Sequence, residues 1–178
     1  MRRINSGRTE VIRAMRLFIA VQLSENMRGA IGKLQDDLLR RGVRGNYTPK
    51  ENLHLTLAFI GEYNDPEQVL DIMSSIPFGP FKLSLDGIGC FGDLWWVGLE
   101  QSTGLQGYVR QLRHALAEAG IPFDRKRFSP HITVLRRASM ELSRLPKISI
   151  EGIGMIADHA SLMRSDKGKR GMIYTEIQ

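Results

Sequence analysis

Cysteine is almost missing from this chain. Cys90 stands alone among 178 residues, which excludes an internal disulfide framework and fits a reducing compartment, so a cytoplasmic location is expected. One cysteine, with histidines only at 54, 114, 131 and 159, leaves no zinc-ligand spacing; neither a metal nor a cofactor is expected. No apolar run approaches the roughly 18 residues that cross a bilayer, so no membrane partner is expected. A strong charge of one sign is lacking too. The net charge is +6, but Arg2, Arg3, Arg8 and Arg13 against Glu10 account for half of it. A body carrying only the other half is too mild for a general nucleic-acid coat. What is left is 42% hydrophobic and 25% charged, the composition of a globular domain, long enough for two small lobes sharing one core.

Positive charge is instead local. Arg125, Lys126 and Arg127 precede His131, and Arg136 and Arg137 follow it, a bracket that suits an anionic ligand. Lys167, Lys169 and Arg170 form a second patch, readable equally as a solvated surface. Met1–Ala14 has neither an apolar segment nor a clear cleavage site and is not read as a secretory signal. It is expected to be a disordered basic extension or an artefact of start assignment with Met15 as initiator. Residues 15–178 are expected to form the single domain.

From Arg16 the pattern alternates between strands and capped helices. Arg16–Leu23 reads as a strand, and Ser24 caps a helix with Met27, Ile31, Leu34 and Leu38 at helical spacing, ended by Gly42. Residues 43–52 read as a polar loop. Leu53–Ile60 is a strand closed by Gly61. Strict alternation puts His54, Thr56 and Ala58 on one face and Leu53, Leu55, Leu57 and Phe59 on the other. Asp65-Pro66-Glu67 opens a short helix to about Ser75. Phe81–Ile88 and Asp93–Leu99 read as a hairpin, and Leu105–Ala119 as a helix burying Leu105, Val109, Leu112 and Leu116, with His114 on the surface. Gly171–Ile177 supplies a last strand.

Two segments occur twice. His54-Leu55-Thr56-Leu57 returns as His131-Ile132-Thr133-Val134, and Lys82–Gly89 (KLSLDGIG) returns as Lys147–Gly154 (KISIEGIG). Two echoes in the same order predict a pseudo-twofold, bilobal α+β fold. Two largely antiparallel sheets should face a central cleft, with helices outside and the two His/Thr faces opposed.

A lone strand histidine is ordinarily a satisfied core or surface residue; a duplicated one with a threonine beside it is less easily dismissed. Imidazole titrates near neutrality, so one ring can take a proton while the other gives one. A threonine two positions along the strand reaches the same ligand. Two such pairs on opposite walls would grip a phosphate and suit in-line displacement at phosphorus.

Paired HxTx motifs of this kind resemble those of the 2H phosphoesterase superfamily, and within it the RNA 2′,3′-cyclic phosphodiesterase (2′-5′ RNA ligase) family. The likeness runs from Arg16–Ala20 (RLFIA) through Leu53–Glu62 (LHLTLAFIGE) to Phe128–Val134 (FSPHITV), Arg136 and Ser161–Ser165 (SLMRS). It implies a metal-independent hydrolase that opens a terminal 2′,3′-cyclic phosphate to a 2′-phosphate, with possible joining of RNA ends in reverse. His131 would activate the water and His54 would protonate the departing 3′ oxygen, a polarity the near-equivalent motifs leave open. Thr56, Thr133 and Arg136 would hold the phosphate. Phe18 is either a stacking platform for the terminal base or plain core. Partners implied are RNA ends or nucleotides carrying the cyclic phosphate, and a monomer is expected. A binding module without catalysis, and a phosphodiesterase for small cyclic nucleotides, are the alternatives.

Overall fold

A computed structural model describes residues 13–178, so most of the basic extension lies outside the described residues. Nine strands and three α-helices follow in the order β1 (Met15–Gln22), α1 (Glu25–Arg40), β2 (Asn46–Tyr47), β3 (His54–Tyr63), α2 (Pro66–Ser74), β4 (Phe81–Phe91), β5 (Leu94–Leu99), α3 (Thr103–Glu118), β6 (His131–Arg136), β7 (Gly154–Ala157), β8 (Ser161–Gly168) and β9 (Gly171–Ile177). Two sheets form, in the orders β3-β1-β8-β9 and β2-β6-β5-β4-β7. Every pairing is antiparallel. The expected α+β, two-sheet architecture is therefore the one observed. No helix among the described residues is long and apolar enough to cross a membrane.

The duplication is real, but its unit differs from the one the echoes suggest. In each sheet the histidine strand pairs with the strand that precedes a helix, β3 with β1 and β6 with β5. The repeated unit is thus strand, helix, histidine strand. Both helices have sixteen residues and a capping serine: Met27 N–H donates to Ser24 Oγ and Leu105 N–H to Ser102 Oγ, each at 3.2 Å. The second echo does not mark equivalent strands. Lys82–Gly89 lies within β4, whereas Lys147–Ile153 forms no strand, and Gly154 begins β7. These segments are neighbours in one sheet: Ser84 pairs with Gly154, and Leu85 N–H donates to the Ile153 carbonyl at 2.8 Å. Similar sequences arose at positions that the symmetry does not relate.

Alternation sorts most side chains as expected. Leu17, Ile19 and Val21 of β1, Leu55 and Leu57 of β3, and Ile132 and Val134 of β6 are buried in one continuous core with the inner faces of α1 and α3. Burial of these side chains is the main stabilising term, about 1.5–3 kcal/mol for each large aliphatic. One departure matters for the site. The β1–β3 register shifts between Ile19 and Ala20, where Ala20 faces Thr56 but Ile19 faces Ala58, and again between Leu17 and Phe18. The first bulge leaves Leu57 and Ala58 both fully buried and turns the half-buried Phe59 to the opposite side, beside Phe18. Strict alternation puts Ala58 with His54 and Phe59 with the leucines; a β-bulge exchanges them. Residues 43–52 also depart from a plain loop, since Asn46–Tyr47 adds an edge strand to β6 and Lys50–Asn52 makes a 3₁₀ turn.

Candidate active site

Both histidines open their strands, and both are held by the same local device. His54 Nδ1 lies 2.7 Å from the Asn52 carbonyl, and His131 Nδ1 lies 2.7 Å from the Ser129 carbonyl. A carbonyl only accepts, so Nδ1 carries the proton in each ring, which leaves Nε2 to exchange protons with a ligand. Asn52 is itself anchored: its buried side chain donates through Nδ2 to the Met172 carbonyl at 2.8 Å, tying the turn before β3 to β9.

The walls around the two rings differ. His54 packs against Phe18 and Tyr174, with ring centroids at 4.9 and 5.3 Å. Its Nε2 lies 3.0 Å from Thr56 Oγ1, which donates to the neutral ring and accepts from the protonated one. Burial holds the His54 pKa below the ordinary imidazole range; the Asn52 carbonyl opposes this, and the positive charge of Arg136 and His131 adds to it. His131 meets Phe91 edge-on at 5.3 Å and Trp96 at 6.1 Å. Its Nε2 has no hydrogen-bond partner among the described residues. Trp96 lies across Gly89, where any Cβ would come within 2.3 Å of the indole, so the lack of a side chain there is what seats the ring.

A single cleft of 1660 Å³ brings together His54, Thr56, His131, Thr133, Arg136 and Phe18. All six residues picked from the sequence thus share one space. Phe18 forms part of the floor and is only 4% exposed. Lys126 and Arg127 from the basic bracket line the same cleft, as does Lys167 from the C-terminal patch, together with Arg13, Arg16, Arg113 and Arg164. Local pairing consumes some of this charge, because Arg164 bonds Asp166 at 2.7 Å and Lys126 approaches Asp124 at 3.7 Å. The remainder still favours an anion strongly over a neutral ligand.

Tyr174, Phe91, Trp96 and Asn52 were not singled out in the sequence. Each lies on a strand or turn recognised there, yet only tertiary pairing shows that it borders a histidine. Two further residues were missed because their partners lie far away in the sequence. Arg113 on α3 donates through Nε and Nη2 to the Leu57 carbonyl at 3.3 and 3.1 Å, and through Nη1 to the Lys126 carbonyl at 2.7 Å. Gln35 on α1, buried, donates through Nε2 to the Val134 carbonyl at 3.0 Å and the Thr48 carbonyl at 2.9 Å.

Comparison with known proteins meets this geometry. The model of the LigT like phosphoesterase family matches residues 21–94 and 97–174, one stretch around each histidine motif. An RNA 2′,3′-cyclic phosphodiesterase of Archaeoglobus fulgidus is 30% identical over 176 residues, covering 92% of this chain and 98% of that protein. One of Thermus thermophilus is 32% identical over 182 residues, covering 92% and 88%. The crystal structure of Escherichia coli LigT complexed with 3′-AMP superposes with a TM-score of 0.77 at 29% identity, covering 93% of this chain and 96% of that one. The chain belongs to the LigT-like phosphoesterases.

Proposed function

We propose that this protein is an RNA 2′,3′-cyclic phosphodiesterase that opens the ring by paired histidine acid–base catalysis without a metal. The observation that carries this reading is the matched pinning of both Nδ1 atoms to carbonyls, which leaves two Nε2 atoms on opposite motifs of one basic cleft. The activity named for the relatives, and the 3′-AMP complex of the E. coli structure, support the same substrate class. His131 Nε2 takes a proton from water as its oxygen attacks phosphorus. The bond from phosphorus to O3′ breaks on the far side, and His54 Nε2–H gives its proton to that oxygen. The products are a 2′-phosphate and a free 3′ hydroxyl, and proton exchange with solvent resets both rings. Thr56, Thr133 and Arg136 hold the non-bridging oxygens as charge shifts onto them.

With the 5′ hydroxyl of a second RNA end in place of water, the same steps join two RNA ends through a 2′-5′ linkage. Both motifs come from one chain, so the site is complete in a monomer. Cys90 is exposed, which suits the reducing cytoplasm proposed as its location. Incubation of an RNA oligomer bearing a terminal 2′,3′-cyclic phosphate tests the reading. A product carrying only a 2′-phosphate is expected; an untouched ring, or a 3′-phosphate product, contradicts it.

A further inference from the structure

Gln35 and Arg113 are equivalent by the internal pseudo-symmetry. Each stands eleven residues after the capping serine of its helix, Ser24 to Gln35 and Ser102 to Arg113. Each leaves its own lobe and donates to the carbonyl of the last residue in the opposite HxTx motif, Gln35 to Val134 and Arg113 to Leu57. Each also holds the loop that leads into its own histidine strand, through the carbonyls of Thr48 and Lys126. Those loops run beside the opposite histidine strand, where Thr48 N–H donates to Val134 O at 3.0 Å and Asp124 N–H to Phe59 O at 2.8 Å.

We infer that these two side chains are crossed fasteners that set the separation of the two histidines, and so act as positioning residues for the proposed reaction. Leu57 and Val134 are residues skipped by the register shifts of β3 against β1 and of β6 against β5, and a donor from the opposite lobe that takes such a carbonyl fixes one motif against the other. The pair of bonds is buried or half-buried, where a lost partner is costly. Phe123 and Phe128 lie 6.0 and 5.7 Å from the Arg113 guanidinium carbon and restrict its swing. The inference rests on the two-histidine reading above.

Arg113→Met and Gln35→Met each remove the donor and keep apolar bulk. Well below the melting temperature, each is expected to lower kcat roughly ten- to a hundredfold, the usual result of a small misplacement of catalytic groups, with a much smaller change in KM. Arg113→Gln supplies at position 113 the side chain that already does the work at 35, so it should restore most of kcat. The double Met variant should lose less than the product of the single losses, because both act on one distance. Affinity for 3′-AMP, read by calorimetry, should fall in the Met variants whether or not turnover is measurable, which separates this proposal from the hydrolase reading. A lower melting temperature with unchanged kcat and unchanged 3′-AMP affinity would overturn it.

The bulge on β3 independently points to a second binding position. By turning Phe59 into the cleft it seats that ring under Arg16, whose guanidinium carbon lies 4.9 Å from the ring centroid. Arg16 is exposed, lines the cleft, and has no ion-pair partner among the described residues. The 1660 Å³ cleft also exceeds the roughly 300–1,000 Å³ of a site for one drug-sized molecule. We propose that the outer face of the Arg16 guanidinium, backed by Phe59, stacks on the base of the nucleotide preceding the cyclic-phosphate end, which makes an oligonucleotide the preferred substrate within the reading above. Arg16→Gln should cost a dinucleotide ending in 2′,3′-cyclic phosphate roughly five- to a hundredfold more in kcat/KM than it costs the mononucleotide. Arg16→Lys, which keeps charge and loses the plane, should resemble Arg16→Gln. Unreactive 3′-phosphorylated mono- and dinucleotides give the same ratio by calorimetry if turnover fails. Equal losses on both lengths, or wild-type protein indifferent to length, would overturn the proposal.

Discussion

The two histidine motifs share a sequence pattern, a position at the start of a strand and a way of pinning Nδ1, yet their surroundings differ. The His54 side is the more enclosed: Phe18 beneath, Tyr174 across, and Thr56 on its Nε2. The His131 side is more open, with Phe91 52% exposed beside the ring. Duplication supplies two chemically identical groups, and the local environment then distinguishes them. That difference permits an acid and a base to be built from one residue type.

The largest effects should come from breaking either side. His54→Ala and His131→Ala are each expected to lower kcat by roughly 10²–10⁴, measured on a cyclic-phosphate oligomer. The double variant should lose far less than the product of the two, since the rings act as a unit. Thr56→Val and Thr133→Val rank next. A hydrogen bond to a charged phosphate is worth about 1.5–3 kcal/mol, and Thr56→Val also frees the His54 ring, so its loss should exceed that of Thr133→Val in the same assay.

A subtler comparison is electrostatic. Titration of the ring protons by NMR should place His54 below the ordinary imidazole range, because burial and the positive charges of Arg136 and His131 disfavour its protonated form. Arg136→Gln removes one of those charges and should move the His54 midpoint upward. In the proposed mechanism His54 is the acid and must be protonated, so kcat/KM should fall as pH rises through its free-protein pKa. A bound phosphate anion favours the protonated ring, so the alkaline limb of kcat should lie at higher pH than that of kcat/KM. The smallest expected effect is that of a chelator. EDTA should leave kcat unchanged, because in the proposed mechanism the two imidazoles supply both proton transfers; loss restored by a divalent ion would replace this mechanism with another.

Much of this site was legible before any coordinates. Period-2 alternation placed His54 and Thr56 opposite Leu55 and Leu57, and His131 and Thr133 opposite Ile132 and Val134, because one face of each strand must be buried. Capping chemistry located the helices, with Ser24 and the Asp65-Pro66 pair marking their starts. Alternation failed at Ala58 and Phe59, where one inserted residue reverses the faces and composition carries no mark of it. The KISIEGIG echo misled for a related reason: like residues do not fix a strand's partner, and Lys147–Ile153 forms no strand although its sequence resembles β4. Tyr174, Gln35 and Arg113 were invisible because their roles depend on pairings between distant segments. Their residue types alone predict only an edge strand and two polar helix positions.

The division of labour between the two rings is tested most directly with a substrate whose departing 3′ oxygen is replaced by sulfur, a far better leaving group that needs little protonation. The account predicts that this substrate restores much of the rate of His54→Ala, which lacks the acid, and leaves His131→Ala, which lacks the base, as slow as before. Rescue of His131→Ala instead would reverse the roles, and near wild-type rates for both single variants on the ordinary substrate would contradict the two-histidine mechanism itself.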